Sequence, residues 1–226
     1  RPTTNKNTIA TGIYKLLKLD TLDNTPVNSD IQKKITYYIN KTKADIVIFS
    51  DFRHGIFNKQ SIPEYIKSIP KGSFKVADSQ VASRWGNILE FKKFDLITPN
   101  EREARFSLAD QDSPIGALSH LIKTKSKTKN LILKLGDKGV FCSSNKRSNN
   151  YFSLDSFATN VIDAVGSGDA LLAYSALSLF SSNSLPLSVI IGSIAAASEC
   201  EIDGNIPIKV GKVIKKINLI ERQLKI

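Results

Sequence analysis

The feature that most constrains this sequence is a repeated switch in the spacing of its apolar residues. A spacing of two is typical of strands, and a spacing of about 3.6 is typical of helices. Short apolar runs such as 45–49 and 131–135 alternate with amphipathic stretches such as 28–39 and 60–69. Alternating strands and helices favour a largely parallel β-sheet that is covered by helices on both faces. We therefore predict an α/β fold.

The same criteria assign the remaining segments. Residues 9–19 are expected to be extended, and Asn28 or Ser29 is expected to cap a helix whose buried stripe is Ile31, Ile35, Tyr38 and Ile39. Other predicted elements are strands at 74–77 and 94–97, helices from 99 and over 114–123, and a hairpin joining 140–142 to 151–154. The last third is predicted to be helical, over 169–180, 187–199 and a tail with the stripe Val210, Val213, Ile214, Ile217, Ile220 and Leu224.

Length and composition narrow the class of protein. The 226 residues are 41% apolar, which is sufficient for one sizeable core. No stretch approaches the ~20 consecutive apolar residues of a membrane span, and the N-terminus lacks the apolar core of a signal peptide, so we expect no membrane association. The two cysteines, Cys142 and Cys200, exclude a disulfide framework and a cysteine-based zinc site. The cytoplasm is the expected location.

The chain is basic, with a net charge of +11 and a pI near 9.6. Its basic residues are 25 Lys and seven Arg, and they are scattered, whereas nucleic-acid readers cluster them and depend on Arg. The densest run, Lys123–Lys129, contains no aromatic residue and is predicted to be a solvated connector. We therefore expect no nucleic-acid partner, while anionic small molecules such as nucleotides suit the charge.

A glycine-rich segment, Asp163–Asp169, directly precedes an apolar helical run. Gly166 and Gly168 flank Ser167, and such a loop lets successive backbone N–H groups converge on an anion at the positive end of the helix dipole. A carboxylate at Asp169 would repel a bound phosphate, but it fits if it accepts the proton of a hydroxyl that attacks phosphorus. An ordinary loop entering a helix explains the same residues equally well.

A second segment, TPNERE, follows a predicted strand. Thr98 and Glu101 have the spacing of a capping box, and Pro99 suits the first helical position. Asn100 and Glu103 lie three residues apart on one helix face, where an amide and a carboxylate suit a hydrated magnesium ion and the phosphates it accompanies. A solvated helix face is the alternative interpretation of these two residues.

Two further features are weaker. Gly136 and Gly139 follow Lys134 at a predicted strand end. Glycines there let a nucleotide approach the backbone, although a plain β-turn explains them too. His54 and His120 are too isolated to indicate a metal site or a catalytic triad, but the loop of His54 follows a strand end and is predicted to face the site.

The three motifs, in this order and spacing, resemble the ribokinase-like (PfkB-type) carbohydrate kinases over nearly the whole chain. The resemblance implies that Asp169 is the catalytic base and that Gly166, Ser167 and Gly168 form an anion hole. It also implies that Asp163 occupies a position at which some members help to bind a monovalent cation.

The other two motifs match the nucleotide side of the family's site. Asn100 and Glu103 match its Asn-x-x-Glu motif for magnesium and phosphate, and Gly136 and Gly139 match its nucleotide-side loop. Family members usually carry Thr where this chain has Lys134, so that nucleotide contact is either missing or replaced by a charge.

Within the family, the Arg1–Lys6 segment, the Lys15–Leu17 region and Asp95–Pro99 most resemble the heptose-phosphate kinase branch. The family's N-terminal segment, with its glycine-rich sugar-binding motif, has no counterpart in the sequence. We therefore expect residues 1–226 to form a single ribokinase-like kinase domain that lacks this sugar-binding segment.

These expectations combine into an ATP-dependent carbohydrate kinase, which phosphorylates a hydroxyl of a sugar or sugar phosphate with Mg²⁺. An Asp169 with an ordinary pKa near ~3.9 would already be ionised at neutral pH. The alternative is a non-catalytic nucleotide- or sugar-binding protein on the same fold, since a fold does not fix a function. A homodimer is compatible with the sequence, which does not determine the oligomeric state.

Overall fold

The computed structural model describes residues 2–12, 14–80, 88–144, 151–204 and 206–224. Two strands near the N-terminus form a hairpin: β1 (Asn5–Thr11) and β2 (Tyr14–Thr21). Six further strands form the main sheet: β3 (Ile46–Asp51), β4 (Phe74–Ser79), β5 (Leu96–Ile97), β6 (Asn130–Lys134), β7 (Val140–Ser144) and β8 (Tyr151–Leu154). They lie side by side in chain order.

The first four strands of the main sheet are parallel, and β7 and β8 extend it antiparallel. The prediction of a largely parallel sheet is therefore confirmed, as is the hairpin that joins β7 to β8; its turn, 145–150, lies outside the described residues. Residues 9–19, predicted simply as extended, contain a chain reversal between β1 and β2. Gly12 lies in that reversal with a φ of 55°, a conformation that glycine adopts at little cost.

Seven α-helices lie in the described part of the chain: α1 (Ser29–Lys41), α2 (Ser61–Ser68), α3 (Glu101–Leu108), α4 (Ile115–Ser126), α5 (Ser167–Ser182), α6 (Leu185–Cys200) and α7 (Val210–Leu224). The predicted cap of α1 is confirmed, because the side chain of Asn28 accepts the N–H of Ile31 at 2.9 Å. Short 3₁₀ helices cover Ile88–Glu90 and Gly136–Lys138.

Successive residues of the central strands pack against opposite layers of helices, as the alternation of side chains along a strand requires. Ala77 and Ile97 join a cluster that contains Phe91 and also residues from α2, α3 and α4. Their neighbours Val76 and Leu96 join a second cluster with residues from α5 and α6. The main sheet is therefore covered by helices on both faces, as predicted.

Two predicted helical stripes are less buried than their periodicity suggests. In α1, Ile31 and Tyr38 are 45% and 63% exposed, and only Ile35 and Ile39 pack against the core. In α7, Val213 is buried, whereas the exposed members of the stripe include Val210, Ile214 and Leu224. Periodicity fixes which residues share a face, but it does not decide how completely a neighbouring element covers that face.

The basic run Lys123–Lys129 is not simply a solvated connector, so that prediction is wrong in part. Its first residues form the last turn of α4, where Lys side chains complement the helix dipole. Lys127 ends the helix in a left-handed conformation, and Ser126 and Thr128 are fully buried.

None of the helices in the described ranges has the length and apolar character needed to cross a membrane.

Candidate active site

A cleft of about 870 Å³ opens beyond the carboxyl ends of the parallel strands. Parallel sheets covered by helices bind ligands at this edge. The cleft lies between the main sheet and the hairpin, and its lining includes the 163–169 loop together with Lys6, Lys15, Lys18, Asp78, Asn100, Glu103, Lys134 and Gly136. The structure thus brings nearly all the predicted site residues together.

The 163–169 loop enters helix α5 at the floor of this cleft. Gly166 has a φ of 92°, in the left-handed region, where other residues are strained. The hydroxyl of Ser167 donates to the carbonyl of Ala164 at 2.8 Å and fixes the turn. Because α5 begins at Ser167, the N–H groups of its first turn have no acceptor within the helix. The loop therefore has the geometry of an anion-binding site.

Four charged side chains from four different elements converge beside this loop. Asp78 ends β4, Glu103 lies in α3, Lys134 ends β6 and Asp169 lies in the first turn of α5. The ammonium of Lys134 donates to both carboxylate oxygens of Asp78, at 3.0 and 3.2 Å. It also lies 3.5 Å from the point that a Cβ on Gly168 would occupy. A largely buried positive charge therefore adjoins the anion-binding loop.

The crowding of carboxylates changes their proton affinities. Burial raises the pKa of Asp169, the charge of Asp78 raises it further, and Lys134 and Lys6 oppose the rise. The pKa of Asp169 therefore lies above that of an ordinary aspartate. Burial also raises the pKa of Glu103 to about 7, against the opposing charge of Lys134. Burial alone would lower the pKa of Lys134, but the Asp78 and Glu103 carboxylates outweigh it and raise that pKa.

The capping box of α3 is formed by Asn100 and Glu103, and the predicted box of Thr98 with Glu101 is wrong. Asn100 Oδ1 accepts the N–H of Glu103 at 2.8 Å, and Glu103 Oε2 accepts the N–H of Asn100 at 2.7 Å. The helix starts later than predicted because the chain is still extended at Thr98, whose N–H donates to the carbonyl of Ala77 at 3.2 Å. Capping therefore explains one oxygen of Glu103, and Oε1 is the oxygen left for a cation.

The two glycines after β6 serve different purposes. A Cβ on Gly136 would meet nothing within 4 Å, so this residue leaves the cleft open beside the backbone. A Cβ on Gly139 would overlap the carbonyl oxygen of Leu154, and its φ is 81°. Gly139 is therefore required for packing against the end of β8. Both glycines also line the smaller pocket described next.

A second pocket, of about 120 Å³, continues from the cleft behind Lys134 and Gly168. Its walls are mainly apolar and include Leu171, Ala196 and Ala197. Ser193 also lines it; the residue is 8% exposed, and its Oγ is buried with no hydrogen-bond partner among the described residues. A buried hydroxyl without a partner is costly, so Ser193 is a candidate for a polar contact with a ligand.

Sequence reasoning missed several residues of the site. Asp78 could have been found, because it follows a buried strand that ends at the same sheet edge. Ser193 gave no local signal, since it lies within a helix of small and apolar residues. Lys6 and Lys18 face the cleft from the hairpin, which only the tertiary structure reveals.

The two histidines do not contribute to the cleft. His54 Nδ1 lies 3.4 Å from the hydroxyl of Thr4, and its ring lies 6.2 Å from that of Phe52. From this loop, Phe52 lines the cleft. The prediction that the loop faces the site is therefore correct for Phe52, while His120 is exposed on α4.

Comparison with known proteins identifies the family. The sequence model described as pfkB family carbohydrate kinase matches residues 30–207. The chain belongs to this family. The matched range contains the start of α3, the 136–139 turn and the 163–169 loop, so the resemblance drawn from these three motifs is confirmed.

Curated relatives have low sequence identity to this chain. Bifunctional protein HldE of Helicobacter hepaticus is 24% identical over 203 residues, which cover 87% of this chain and 41% of the relative. Bifunctional protein HldE of Campylobacter fetus subsp. fetus is 27% identical over 203 residues, covering 87% and 42%. These matches agree with the resemblance to the heptose-phosphate kinase branch. The chain spans about two fifths of the length of the curated relatives it matches.

Solved structures share the architecture. Phosphofructokinase-2 from Escherichia coli, in complex with potassium, gives a TM-score of 0.75 at 18% identity and covers 91% of this chain and 67% of that one. Arabidopsis thaliana ribokinase, complexed with ribose and ATP, gives 0.67 at 18% identity and covers 89% and 64%. Ribokinase from Giardia lamblia gives 0.74 at 15% identity, covering 97% and 72%. The ribokinase-like fold is therefore confirmed.

Proposed function

We propose that this protein is a magnesium-dependent kinase that transfers the γ-phosphoryl group of ATP to a hydroxyl of a sugar or sugar phosphate. The observation that carries the proposal is that Asp169 and the 163–169 loop line one cleft, beside the largely buried ammonium of Lys134. Phosphoryl transfer to a hydroxyl needs a group that accepts the hydroxyl proton and a positive environment for the transferred oxygens. These residues supply both.

Asp169 acts as the general base. Its raised pKa makes it a stronger base than an ordinary aspartate, while the charges of Lys134 and Lys6 favour its ionised form. The acceptor hydroxyl donates to this carboxylate and gives up its proton as its oxygen bonds to the γ-phosphorus, while the bond from that phosphorus to the bridging oxygen breaks and ADP leaves. This role explains why a carboxylate lies beside the anion-binding loop, where it would otherwise only repel the bound phosphate.

The backbone of Gly166, Ser167 and Gly168, together with the Lys134 ammonium, stabilises the charge on the transferred group. These donors are fixed before the reaction, by the turn at Gly166 and by the ion pair of Lys134 with Asp78. Preorganised donors of this kind act without reorganising during the step. Catalysis then depends mainly on positioning and electrostatics.

The nucleotide lies along the loop of Gly136 and Gly139 and extends into the 120 Å³ pocket. This pocket suits a flat base, because small apolar side chains of α6 line it and the Ser193 hydroxyl, which has no partner in the described part of the chain, supplies a polar contact. Asn100 uses Oδ1 for capping, so its side-chain NH₂ group is the part left to donate to a phosphate.

The residues of the cleft fit a magnesium ion. Three carboxylates, those of Asp78, Glu103 and Asp169, face one ammonium, and the excess negative charge favours a hard divalent cation with oxygen ligands. Glu103 would hold it through Oε1, directly or through water. When bound, the ion neutralises phosphate charge and orients the phosphates for transfer.

The hairpin side of the cleft suits a negatively charged acceptor. Lys6 and Lys18 line the cleft from β1 and β2, opposite the loop of Asp169. Exposed lysines at the mouth of a cleft attract anionic substrates, so a sugar phosphate suits this wall better than a neutral sugar.

The test is sugar-dependent ATP consumption by the full-length protein, measured over a panel of sugars and sugar phosphates with Mg²⁺. Asp169→Asn keeps the shape of the side chain but removes the base, and we expect turnover to fall by ~10²–10⁴-fold. ATP affinity, measured by calorimetry, should hold or improve because a negative charge beside the phosphates is gone. Asp112→Asn, at an exposed position, is the matched control.

Each result has a distinct meaning. Unchanged turnover in Asp169→Asn would refute the role of that residue. ATP binding without turnover on any member of the panel would favour the alternative of a non-catalytic binding protein. Failure to bind ATP would reject the nucleotide site itself.

A further inference from the structure

An ion pair joins the hairpin to the anion-binding loop. Lys15 Nζ in β2 lies 2.7 Å from Asp163 Oδ2, and the Asp163 side chain is 8% exposed whereas that of Lys15 is 48% exposed. The two residues are far apart in sequence, so the contact exists only because the hairpin folds over the cleft. Lys15 thus places a positive charge on a largely buried carboxylate.

Both oxygens of the Asp163 carboxylate have partners in the protein. Oδ1 accepts the N–H of Val165 at 3.1 Å, and Oδ2 accepts a hydrogen bond from Lys15. The backbone on either side of the carboxylate is also held, because the N–H groups of Ile162 and Asp163 donate to the carbonyl of Cys200 at 2.8 and 3.1 Å. A metal ion that binds this carboxylate therefore has to compete with the Lys15 ammonium.

This arrangement does not fit the monovalent cation that the family resemblance implies at Asp163. One similar structure, Escherichia coli phosphofructokinase-2, is described as a complex with potassium. In this chain the Lys15 ammonium supplies the positive charge beside Asp163. An ammonium is a compact single charge with three donors. We propose that Lys15 takes the place of a monovalent cation on Asp163, so that this protein does not respond to potassium.

The position of Asp163 explains why the Lys15 charge in place of a cation matters for function. Asp163 lies three residues before Gly166, at the entrance to the loop that would hold the transferred phosphoryl group. An unneutralised carboxylate there would repel an incoming anion, and the low exposure of its side chain weakens solvent screening. Lys15 cancels this charge from within the chain, and it does so only when the hairpin lies over the loop.

The first measurement is thermal stability in potassium, sodium and choline chlorides at equal ionic strength. We expect wild type to melt at the same temperature in all three salts. Lys15→Met should melt lower in choline and should gain stability specifically from potassium, because the carboxylate is then open to the ion. Lys33→Met, which removes an exposed lysine of α1, is the matched control and should behave as wild type.

The second measurement is turnover in the same salts, and it rests on the proposed function. In choline, Lys15→Met should lose activity on the order of tenfold, as for one hydrogen bond to a charged group, and potassium should restore it. Lys15→Arg keeps the charge and should stay independent of potassium. Because the melting arm needs no turnover, a protein without kinase activity would reject the proposed function while still testing Lys15.

Two results would overturn the inference. One is a potassium-specific rise in the melting temperature or turnover of wild type. The other is a Lys15→Met protein that keeps a folded circular dichroism spectrum and shows no response specific to potassium.

Discussion

The sheet side of the cleft and the β1–β2 hairpin that faces it differ in how their side chains are held. On the sheet side, Asp78, Glu103 and Lys134 are largely buried and stand on strands and a helix whose neighbours Ala77, Ile97 and Leu133 are inaccessible to solvent. In the hairpin, every residue of both strands is exposed. These three groups are thus fixed by the core, whereas the lysines proposed to meet the acceptor stand on a surface element.

This difference indicates a division of labour. Preorganised donors and bases need a rigid support, because small displacements are costly for transfer. Recognition of the acceptor tolerates change, because an exposed strand can alter its side chains without disturbing a core. Mutations on the two sides should therefore separate into those that affect stability and those that do not.

The largest effect on stability should come from the core beneath the sheet side. Phe91 is fully buried and packs against the rings of Phe49, Phe57 and Phe94, with centroids 6.2, 5.9 and 5.7 Å away. Replacing it by Ala leaves a cavity, and we expect a loss of ~3–5 kcal/mol in the free energy of unfolding, measured in urea.

Phe180→Ala is the matched control for this prediction, because the Phe180 ring also packs on an aromatic partner, Phe74, at 5.9 Å but is 44% exposed. Its loss should be clearly smaller. Equal losses in the two variants would mean that the aromatic cluster under the sheet contributes no more than a surface contact.

An intermediate effect is expected at Glu103, where capping and the proposed magnesium site meet. Glu103→Gln keeps a side chain that can complete the capping box, so stability should barely change while the magnesium concentration for half-maximal turnover rises. Glu103→Ala also loses the bond from the Asn100 N–H to Glu103 Oε2, while Asn100 Oδ1 keeps its bond to the backbone N–H at position 103, and it should cost ~1 kcal/mol. An unchanged magnesium requirement in Glu103→Gln would restrict this residue to capping.

The pH dependence of the same variant sharpens the test. The pKa of Glu103 is about 7 in the folded chain and 4.5 without the fold. The folded state binds the Glu103 proton more tightly than the unfolded state does. The contribution of Glu103 to the free energy of unfolding is therefore fully present below pH 4.5 and is lost as the pH rises through 7. In magnesium-free buffer, the melting temperature of wild type should therefore fall across this window relative to Glu103→Gln. Parallel curves for the two proteins would contradict the raised pKa.

The smallest effect is expected in the hairpin. Leu17 is 52% exposed, and its replacement by Ala should change the free energy of unfolding by no more than ~0.5 kcal/mol. A loss near that of Phe91→Ala would show that the hairpin is part of the cooperative core and would remove the contrast between the two walls.

Local signals predicted the elements of the fold well. The apolar runs before Asp51 and Asp78 became strands, and Asn28 caps α1 as expected. The start of α3 was misplaced because Thr98 and Glu101 satisfy the same local spacing rule as Asn100 and Glu103. Only the pairing of the extended chain at Thr98 with Ala77 on the neighbouring strand chooses between the two capping boxes.

Three features follow from the amino-acid sequence without the fold: the alternation of strands and helices, the glycine-rich loop ahead of α5 and the family to which these motifs belong. Each of these depends on residues close together in the chain. Three contacts depend on the tertiary structure: Lys134 meets Asp78, 56 residues away, Lys15 meets Asp163, and Ser193 lines the smaller pocket. The physical reason is that periodicity records which face of an element is buried. The order of strands in the sheet and the fold of the hairpin over it decide which distant charges share one low-dielectric cleft.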